Sequence, residues 1–214
     1  MTKKPQDGKG HLQVFINCPF DKNYQRLFFA IVFTVHLLGF RPRCSIEFIG
    51  GTRLERVIEM IRGCKYRIHD ISRIQRTGQL PRFNMPFELG LDIGIKEARK
   101  PRLKGKNLLI LETDGYRFQQ FISDLKEFEV AAHHNKVPEV INHVRNWLNG
   151  AKPKKKPFPD GKWLYAEYRK FRANLPKILK VSKELRGPVS DLTFNDYSYL
   201  AAEFIRTRHK KQSQ

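Results

Sequence analysis

Short apolar runs alternate with longer segments of helical spacing along the first 150 residues. The clearest run, 106–112, is continuously apolar between polar ends, as is typical of a strand covered on both faces of a parallel sheet. Repeated strand and helix predict right-handed crossovers and a flavodoxin-like three-layer α/β sandwich with strand order 2-1-3-4-5. The predicted strands are 12–17, 41–46, 65–71, 106–112 and 128–131, and the predicted helices are 24–38, 52–61, 86–98, 116–125 and 137–148.

The composition changes to lysine and proline after residue 150, which predicts an extended linker followed by a helical appendage. Three short amphipathic helices are expected in the appendage, at 163–171, 175–185 and 192–206. Their core candidates are Trp163, Tyr168, Phe171, Leu179, Leu200 and Phe204. The predicted divisions are a disordered basic N-terminus (1–10), an α/β domain (11–150), a linker (151–161), the appendage (162–205) and a disordered basic tail (206–214).

The chain is strongly basic, with 41 Lys and Arg against 21 Asp and Glu, a formal charge of +20 and a pI near 10.1. Such a charge favours anionic partners, from nucleotides to nucleic acid, through long-range attraction and counterion release. Charge alone does not define a reaction, so it serves only to rank partners. The helical appendage also permits self-association into a homo-oligomer.

The cysteines and the hydropathy of the sequence predict the cellular compartment of the protein. Cys18, Cys44 and Cys64 are odd in number and form no C-x-x-C pair, so neither a disulfide framework nor a zinc site is expected. The sequence contains no apolar stretch of membrane-spanning length, and residues 1–10 lack the apolar core of a signal peptide. We therefore expect a cytoplasmic protein with no membrane partner.

Glu88 is the leading catalytic candidate. It falls in the expected first turn of the helix 86–98, which follows the predicted strand 65–71. Ligands of open α/β sheets bind beyond the carboxyl ends of the strands, where helix N-termini also lie. A structural explanation competes with catalysis, because an acidic residue in a first turn is favoured by the helix dipole and by capping.

The rest of this helix has an expected packing role. Phe87, Leu91, Ile95 and Ala98 form a stripe that should pack, with Glu88 about 100° away around the axis. Gly90 and Gly94 each cost roughly 1 kcal/mol of helix stability relative to alanine. We expect that cost to be offset by close approach to a neighbouring backbone or to a ligand.

Further polar groups follow the first and third predicted strands, at the edge where Glu88 is expected. Asp70 is placed to bind ribose hydroxyls, and Ser72 or Asn84 to contact a phosphate or cap a helix. Each of these side chains could equally satisfy its own loop. The nucleotide-binding candidates are Asn17, Pro19, Phe20, Asp21, Asp70, Ser72 and Asn84.

Three segments carry a family resemblance: 14–20, 68–72 and 86–90. They resemble successive landmarks of nucleoside 2-deoxyribosyltransferase-like and TIR-like proteins, over residues 12–148. The resemblance implies that Glu88 acts at the N-glycosidic bond of a nucleoside or of NAD, and that Pro19 and Phe20 contact the nucleoside. It also implies a defence or toxin-effector role, with NAD or a nucleotide as substrate and no required cofactor or metal.

Possible proton donors, a histidine pair and a glycine pair provide weaker candidates. An adenine or pyrimidine leaving group needs a proton donor, for which His69 or Tyr66 could serve, although both residue types are more often packed. His133 and His134 lack metal-ligand spacing and are interpreted as loop residues. Gly50 with Gly51 is weak evidence for a phosphate loop.

Two other classes of function stay open. A nucleotide-sensing or nucleic-acid-binding module would use the same fold to bind without turnover. The basic tracts at 152–156 and 206–211 and the aromatic residues within 162–172 could contact phosphates and bases, or be solvated and packed instead. A purely structural assembly subunit is also permitted by the appendage.

Overall fold

The computed structural model describes residues 12–48, 50–72, 83–99, 107–115, 117–120, 122–151, 156–182, 185 and 187–212. Its centre is a five-stranded sheet in which every pair of neighbouring strands is parallel. The strand order β2-β1-β3-β4-β5 confirms the predicted flavodoxin-like three-layer arrangement. The strands are β1 (Gln13–Asn17), β2 (Arg41–Arg43), β3 (Tyr66–Asp70), β4 (Leu108–Glu112) and β5 (Val130–Ala132).

Six α-helices accompany the sheet in the described part of the chain. Between β4 and β5 the predicted helix 116–125 is wrong, because two 3₁₀ helices, Arg117–Gln120 and Ser123–Glu127, occupy this region. Ser123 and Asp124 favour local turns over a continuous helix, while Phe118 and Leu125 still pack against the sheet. The α-helices are α1 (Gln25–Leu37), α2 (Arg53–Gly63), α3 (Asn84–Arg99), α4 (Val137–Ala151), α5 (Gly161–Val181) and α6 (Phe194–Gln212).

Alternation along β3 sends its side chains to two different sides of the sheet. Tyr66 and Ile68 join the core formed with α1 and α4. Arg67 and His69 point the other way and contact α3. The polar groups at the end of this strand are therefore divided between two environments.

Helix α1 is buried on all sides, from Leu27 to Val35 without interruption. The sheet covers one side of it, and α5 and α6 cover the other. Phe33 stacks on Phe171 of α5 at 5.1 Å, and Phe29 stacks on Tyr197 of α6 at 3.8 Å between ring centroids. The helical segment after residue 160 therefore shares one continuous core with the α/β part.

The C-terminal helices are longer than the sequence predicted. One helix, α5, replaces the two expected at 163–171 and 175–185, with Pro176 inside it. Proline removes a backbone hydrogen bond, but the helix continues through it because Leu175 and Leu179, on either side of Pro176, are buried in the core. Trp163, a predicted core residue, is 42% exposed.

The polar end of α6 is ordered as helix through Gln212, whereas disorder was expected from residue 206. Arg206 pairs with Glu203, and Arg208 pairs with Glu167 of α5 at 3.4 Å. These two ion pairs hold residues 206–208 within the helix. Residues 1–11 and 152–155, which include the expected N-terminus and part of the expected linker 151–161, lie outside the described residues.

The three cysteines are buried free thiols. Burial raises the pKa of each thiol, to about 11 for Cys64, so none is poised as a thiolate nucleophile. In the described ranges no helix combines the length and apolar character needed to cross a membrane.

Candidate functional site

The carboxyl ends of β1 and β3 lie side by side, with Asn17 in register with His69. Helices α2 and α3 begin on the same edge, as the parallel topology requires. This edge therefore brings together the last residues of two strands and the first turns of two helices.

Glu88 lies one turn inside α3, because the helix begins at Asn84. The expected first-turn position is wrong, and α3 has no acidic residue in its first turn. Capping and the helix dipole act mainly within that turn, so they do not explain a buried glutamate at this position. Only 4% of Glu88 is exposed.

The buried face of α3 differs from the predicted stripe. Glu88, Leu89 and Asp92 are buried, whereas Phe87 is 59% exposed. Leu91 and Ile95 pack at the edge, against the core under α2. Hydrophobic spacing gave the wrong face because two of the inward positions are carboxylates that are compensated by cationic partners.

The two glycines of α3 do not mediate close packing. Gly90 and Gly94 are exposed, and a Cβ atom built at either position would meet no neighbour within 4 Å. The predicted close approach to a neighbouring backbone is therefore wrong, and close approach to a ligand stays a prediction.

Glu88 is paired with Arg53, the first residue of α2. Arg53 Nε lies 3.2 Å from Oε1 of Glu88 and Nη2 lies 3.4 Å from Oε2. The Arg53 side chain is 41% exposed, and its guanidinium also lies 5.9 Å from the ring centroid of Phe20. A carboxylate, a partly solvated cation and an aromatic ring thus meet at one point.

Local sequence explains why Arg53 is held there. Thr52 accepts a hydrogen bond from the backbone N–H of Glu55, while the Glu55 side chain accepts one from the Thr52 N–H. This capping box fixes the start of α2. Gly50 and Gly51 precede it with φ of 108° and 63°, values that favour glycine, so the pair shapes the turn into α2.

A buried polar chain lies one helical turn below Glu88. The side-chain amide of Asn17 donates to Nδ1 of His69 at 3.1 Å, and Nε2 of His69 donates to Asp92 at 2.9 Å. Arg67 donates through Nε to both oxygens of Asp92. Burial alone would raise the pKa of Asp92, but the hydrogen bonds from His69 and Arg67, together with the charge of Arg67, outweigh it and lower that pKa.

Asp70 is engaged on the opposite side of the sheet. Its carboxylate accepts hydrogen bonds from Tyr24 Oη, from the Ser72 N–H at 2.9 Å and from Nε2 of His133 at 3.0 Å. The sequence gave His133 only a loop role, yet it is fully buried and ties the start of α4 to the end of β3.

This cluster contains serine, histidine and aspartate but lacks the geometry of a hydrolytic triad. Nδ1 of His133 accepts the backbone N–H of Asn135 at 3.1 Å, so neutral His133 carries its proton on Nε2. The same Nε2 lies 2.9 Å from Ser72 Oγ and 3.0 Å from Asp70. A protonated nitrogen cannot accept the serine proton, so the cluster cross-links loops instead.

The remaining predicted residues are divided among several positions. Pro19 is buried and Phe20 half-buried in the loop after β1, and Asp21 accepts a hydrogen bond from the Tyr24 N–H at 3.0 Å in the turn before α1. Asn84 is exposed as the first residue of α3. Tyr66 begins β3 and so lies at the opposite end of the strand from the site, which removes it as a proton donor.

Sequence reasoning missed the partners of these carboxylates. Asp92 follows Glu88 by four residues, so helical spacing alone could have placed both on one face. Arg67 and His69 are two apart on one strand and therefore share a side of the sheet. Arg53 carried no signal of its own beyond following a capping threonine.

Comparison with protein-family models, with curated proteins and with solved structures gives no significant match for this chain. Functional inference therefore depends on the geometry of the site.

Proposed function

We propose that this protein cleaves or transfers at the N-glycosidic bond of a nucleotide or nucleoside, with NAD as a candidate substrate and Glu88 as the catalytic carboxylate. The observation that carries the proposal is the buried position of Glu88, just beyond the ends of β1 and β3, opposite Arg53 and next to the Phe20 loop. Ligands of this type of sheet bind at that edge.

The chemistry requires one well-placed carboxylate. Breaking the bond between the sugar C1′ and the base nitrogen sends the bonding electrons to the base and leaves an oxocarbenium-like sugar. Glu88 would stabilise that positive charge or form a transient bond to C1′, and water or another acceptor would then complete the reaction. A pyridinium base such as nicotinamide leaves as a neutral molecule, so it needs no acid.

Arg53 and Phe20 supply the binding groups in this proposal. Nε and Nη2 of Arg53 face Glu88, and a guanidinium has a further amino group that suits a phosphate oxygen. Phe20 presents an aromatic ring next to that cation, and bases stack on such rings. A phosphate on Arg53 would weaken its pairing with Glu88 and leave the carboxylate for the sugar.

The surroundings of His69 favour a substrate whose base leaves without protonation. Both ring nitrogens of His69 already form hydrogen bonds within the protein, one to Asn17 and one to Asp92. Donating a proton to an adenine or pyrimidine would disrupt that chain. Asn17 Oδ1 is buried and has no hydrogen-bond partner in the described part of the chain, which supports a role as acceptor for a sugar hydroxyl.

The test is base release from a substrate panel. Purified protein is incubated with NAD, adenosine and deoxycytidine, and free base is quantified by chromatography, while calorimetry measures binding of the same compounds. We expect nicotinamide release to exceed adenine or cytosine release. Binding of NAD by the wild-type protein without release of any base would reject the enzyme in favour of a nucleotide-sensing module.

A further inference from the structure

The outer surface of α5 carries a row of exposed basic side chains. The helix has six lysines and arginines and a single acidic residue, Glu167. Glu167 is buried and already paired with Lys170 at 2.7 Å and with Arg208 at 3.4 Å. The exposed basic residues outside that group are Lys162, Arg169, Arg172, Lys177 and Lys180.

These five residues form no ion pair with any residue that the structure describes. At 100° per residue, Lys162, Arg169 and Lys180 lie within about 20° of one line along the helix, with Lys177 about 60° to one side and Arg172 about 80° to the other. Leu164, Tyr168, Phe171, Leu175 and Leu179 occupy the opposite side and are buried. The basic row therefore faces solvent, with no carboxylate of α5 beside it.

The row is long enough to cross the major groove of double-stranded DNA. Lys162 to Lys180 spans about 27 Å at 1.5 Å per residue. Successive steps from Lys162 to Arg169 and from Arg169 to Lys177 are about 10 and 12 Å along the axis, close to the roughly 12 Å width of the major groove of B-DNA. Long basic side chains at this spacing can reach phosphates on both rims of one groove.

We propose that this surface of α5 docks double-stranded DNA through its phosphate backbone. Charge complementarity identifies the partner, because the exposed side of α5 carries five cations that form no ion pair within the described residues, three of them in one line, and such a surface suits a dense polyanion. An anionic membrane surface fits less well, since interfacial helices bury an apolar face in the lipid and the apolar face of α5 is already packed against α1 and α4. This inference is independent of the reaction proposed at Glu88.

Fluorescence anisotropy with a labelled 20-base-pair DNA duplex tests the proposal on the full chain. Four to five phosphate contacts predict a slope of about −4 for log K against log salt, or roughly 250-fold weaker binding at 200 mM than at 50 mM salt. The triple variant Arg169→Gln, Lys177→Gln, Lys180→Gln should bind at least about ten-fold more weakly and reduce the magnitude of the slope by about 3.

The matched control removes the same charge elsewhere. Arg62→Gln, Lys65→Gln, Lys126→Gln changes three exposed basic residues outside α5 and should leave most of the affinity and the slope in place. Equal losses in the two triple variants would overturn the proposal, because binding would then follow net charge alone. It would also be overturned by the absence of salt-dependent DNA binding, or by tighter binding of an RNA duplex or of phosphatidylserine vesicles.

Discussion

Asp92 is the residue on which the buried polar chain depends, because it accepts from both His69 and Arg67. Removing the negative charge would leave the Arg67 guanidinium buried without its counterion. Such uncompensated charges are expensive in a protein interior. The buried polar chain, and with it the position of Asn17, therefore depends on this carboxylate.

Substituting Asp92 with asparagine is expected to lower the free energy of unfolding at pH 7 by about 3–5 kcal/mol, as for other broken buried pairs. The lowered pKa of folded Asp92 adds a pH dependence. Its stabilisation is complete above the unfolded pKa of about 3.9 and is lost as pH falls through that value toward the folded pKa. Urea unfolding from pH 7 to pH 3 measures both effects.

The matched control is Asp124→Asn, at an exposed site. It should change the free energy of unfolding by no more than about 0.5 kcal/mol. The prediction is contradicted if Asp92→Asn has the wild-type free energy of unfolding at pH 7 and loses as much of it below pH 4 as the wild type does. The buried polar chain would then contribute nothing to stability.

At this scale the sequence predicted where residues lie but not what they contact. Asn17, Asp70 and Glu88 follow from strand order, because parallel strands end at one edge. Whether a carboxylate is already paired depends on residues far along the chain, such as His133, which is 63 positions from Asp70. No local pattern encodes such a pair.

Helix α3 illustrates the limit of periodicity at the level of elements. Its existence and its approximate ends were predicted, but the wrong face was chosen, because the stripe of Phe87 and Leu91 matched helical spacing as well as the true buried face did. The buried face includes Glu88 and Asp92, which hydrophobicity alone counts as outward. The ion pairs of Glu88 with Arg53 and of Asp92 with Arg67 explain why this face of α3 is the buried one.

Substituting Gly94 with alanine should stabilise the protein by about 0.5–1 kcal/mol. Gly94 is a helical, exposed residue with open space where a Cβ atom would lie, so alanine brings better helix propensity without a clash. Thermal and urea unfolding measure the change.

Gly39 provides the paired comparison, since a Cβ there also meets no neighbour but φ is +79°. Alanine at Gly39 should therefore destabilise the protein, because a side chain strains that conformation. A Gly94→Ala variant less stable than wild type would restore the idea that α3 needs glycine for close contact.

At the scale of the whole molecule, α1 accounts for the architecture. A helix that is apolar on every side must be covered on every side, and a three-layer sandwich alone covers only part of it. Helices α5 and α6 supply the remaining cover through their aromatic side chains. The sequence indicated a buried helix at this position, but which segment covers it depends on tertiary packing that the sequence pattern does not specify.

Substituting Phe171 with alanine should lower the free energy of unfolding by about 3–5 kcal/mol, because the ring is fully buried and stacked against Phe33. Far-UV circular dichroism and tryptophan fluorescence should report one shared transition at the lower midpoint. Tyr199→Ala, at a ring that is 62% exposed, is the control and should have little effect. Separate transitions for the two probes would indicate that the C-terminal helices unfold as an independent unit.

The proposed reaction depends on Glu88, and the most direct measurement of its role is base release from NAD by Glu88→Gln beside the exposed control Glu59→Gln. Glutamine keeps the size of the side chain but cannot stabilise a positive sugar or bond to it, so release should fall by at least about 100-fold, with NAD binding retained. Glu59→Gln should match the wild-type rate. Base release at the wild-type rate by a folded Glu88→Gln variant would contradict the assignment of Glu88 as the catalytic carboxylate.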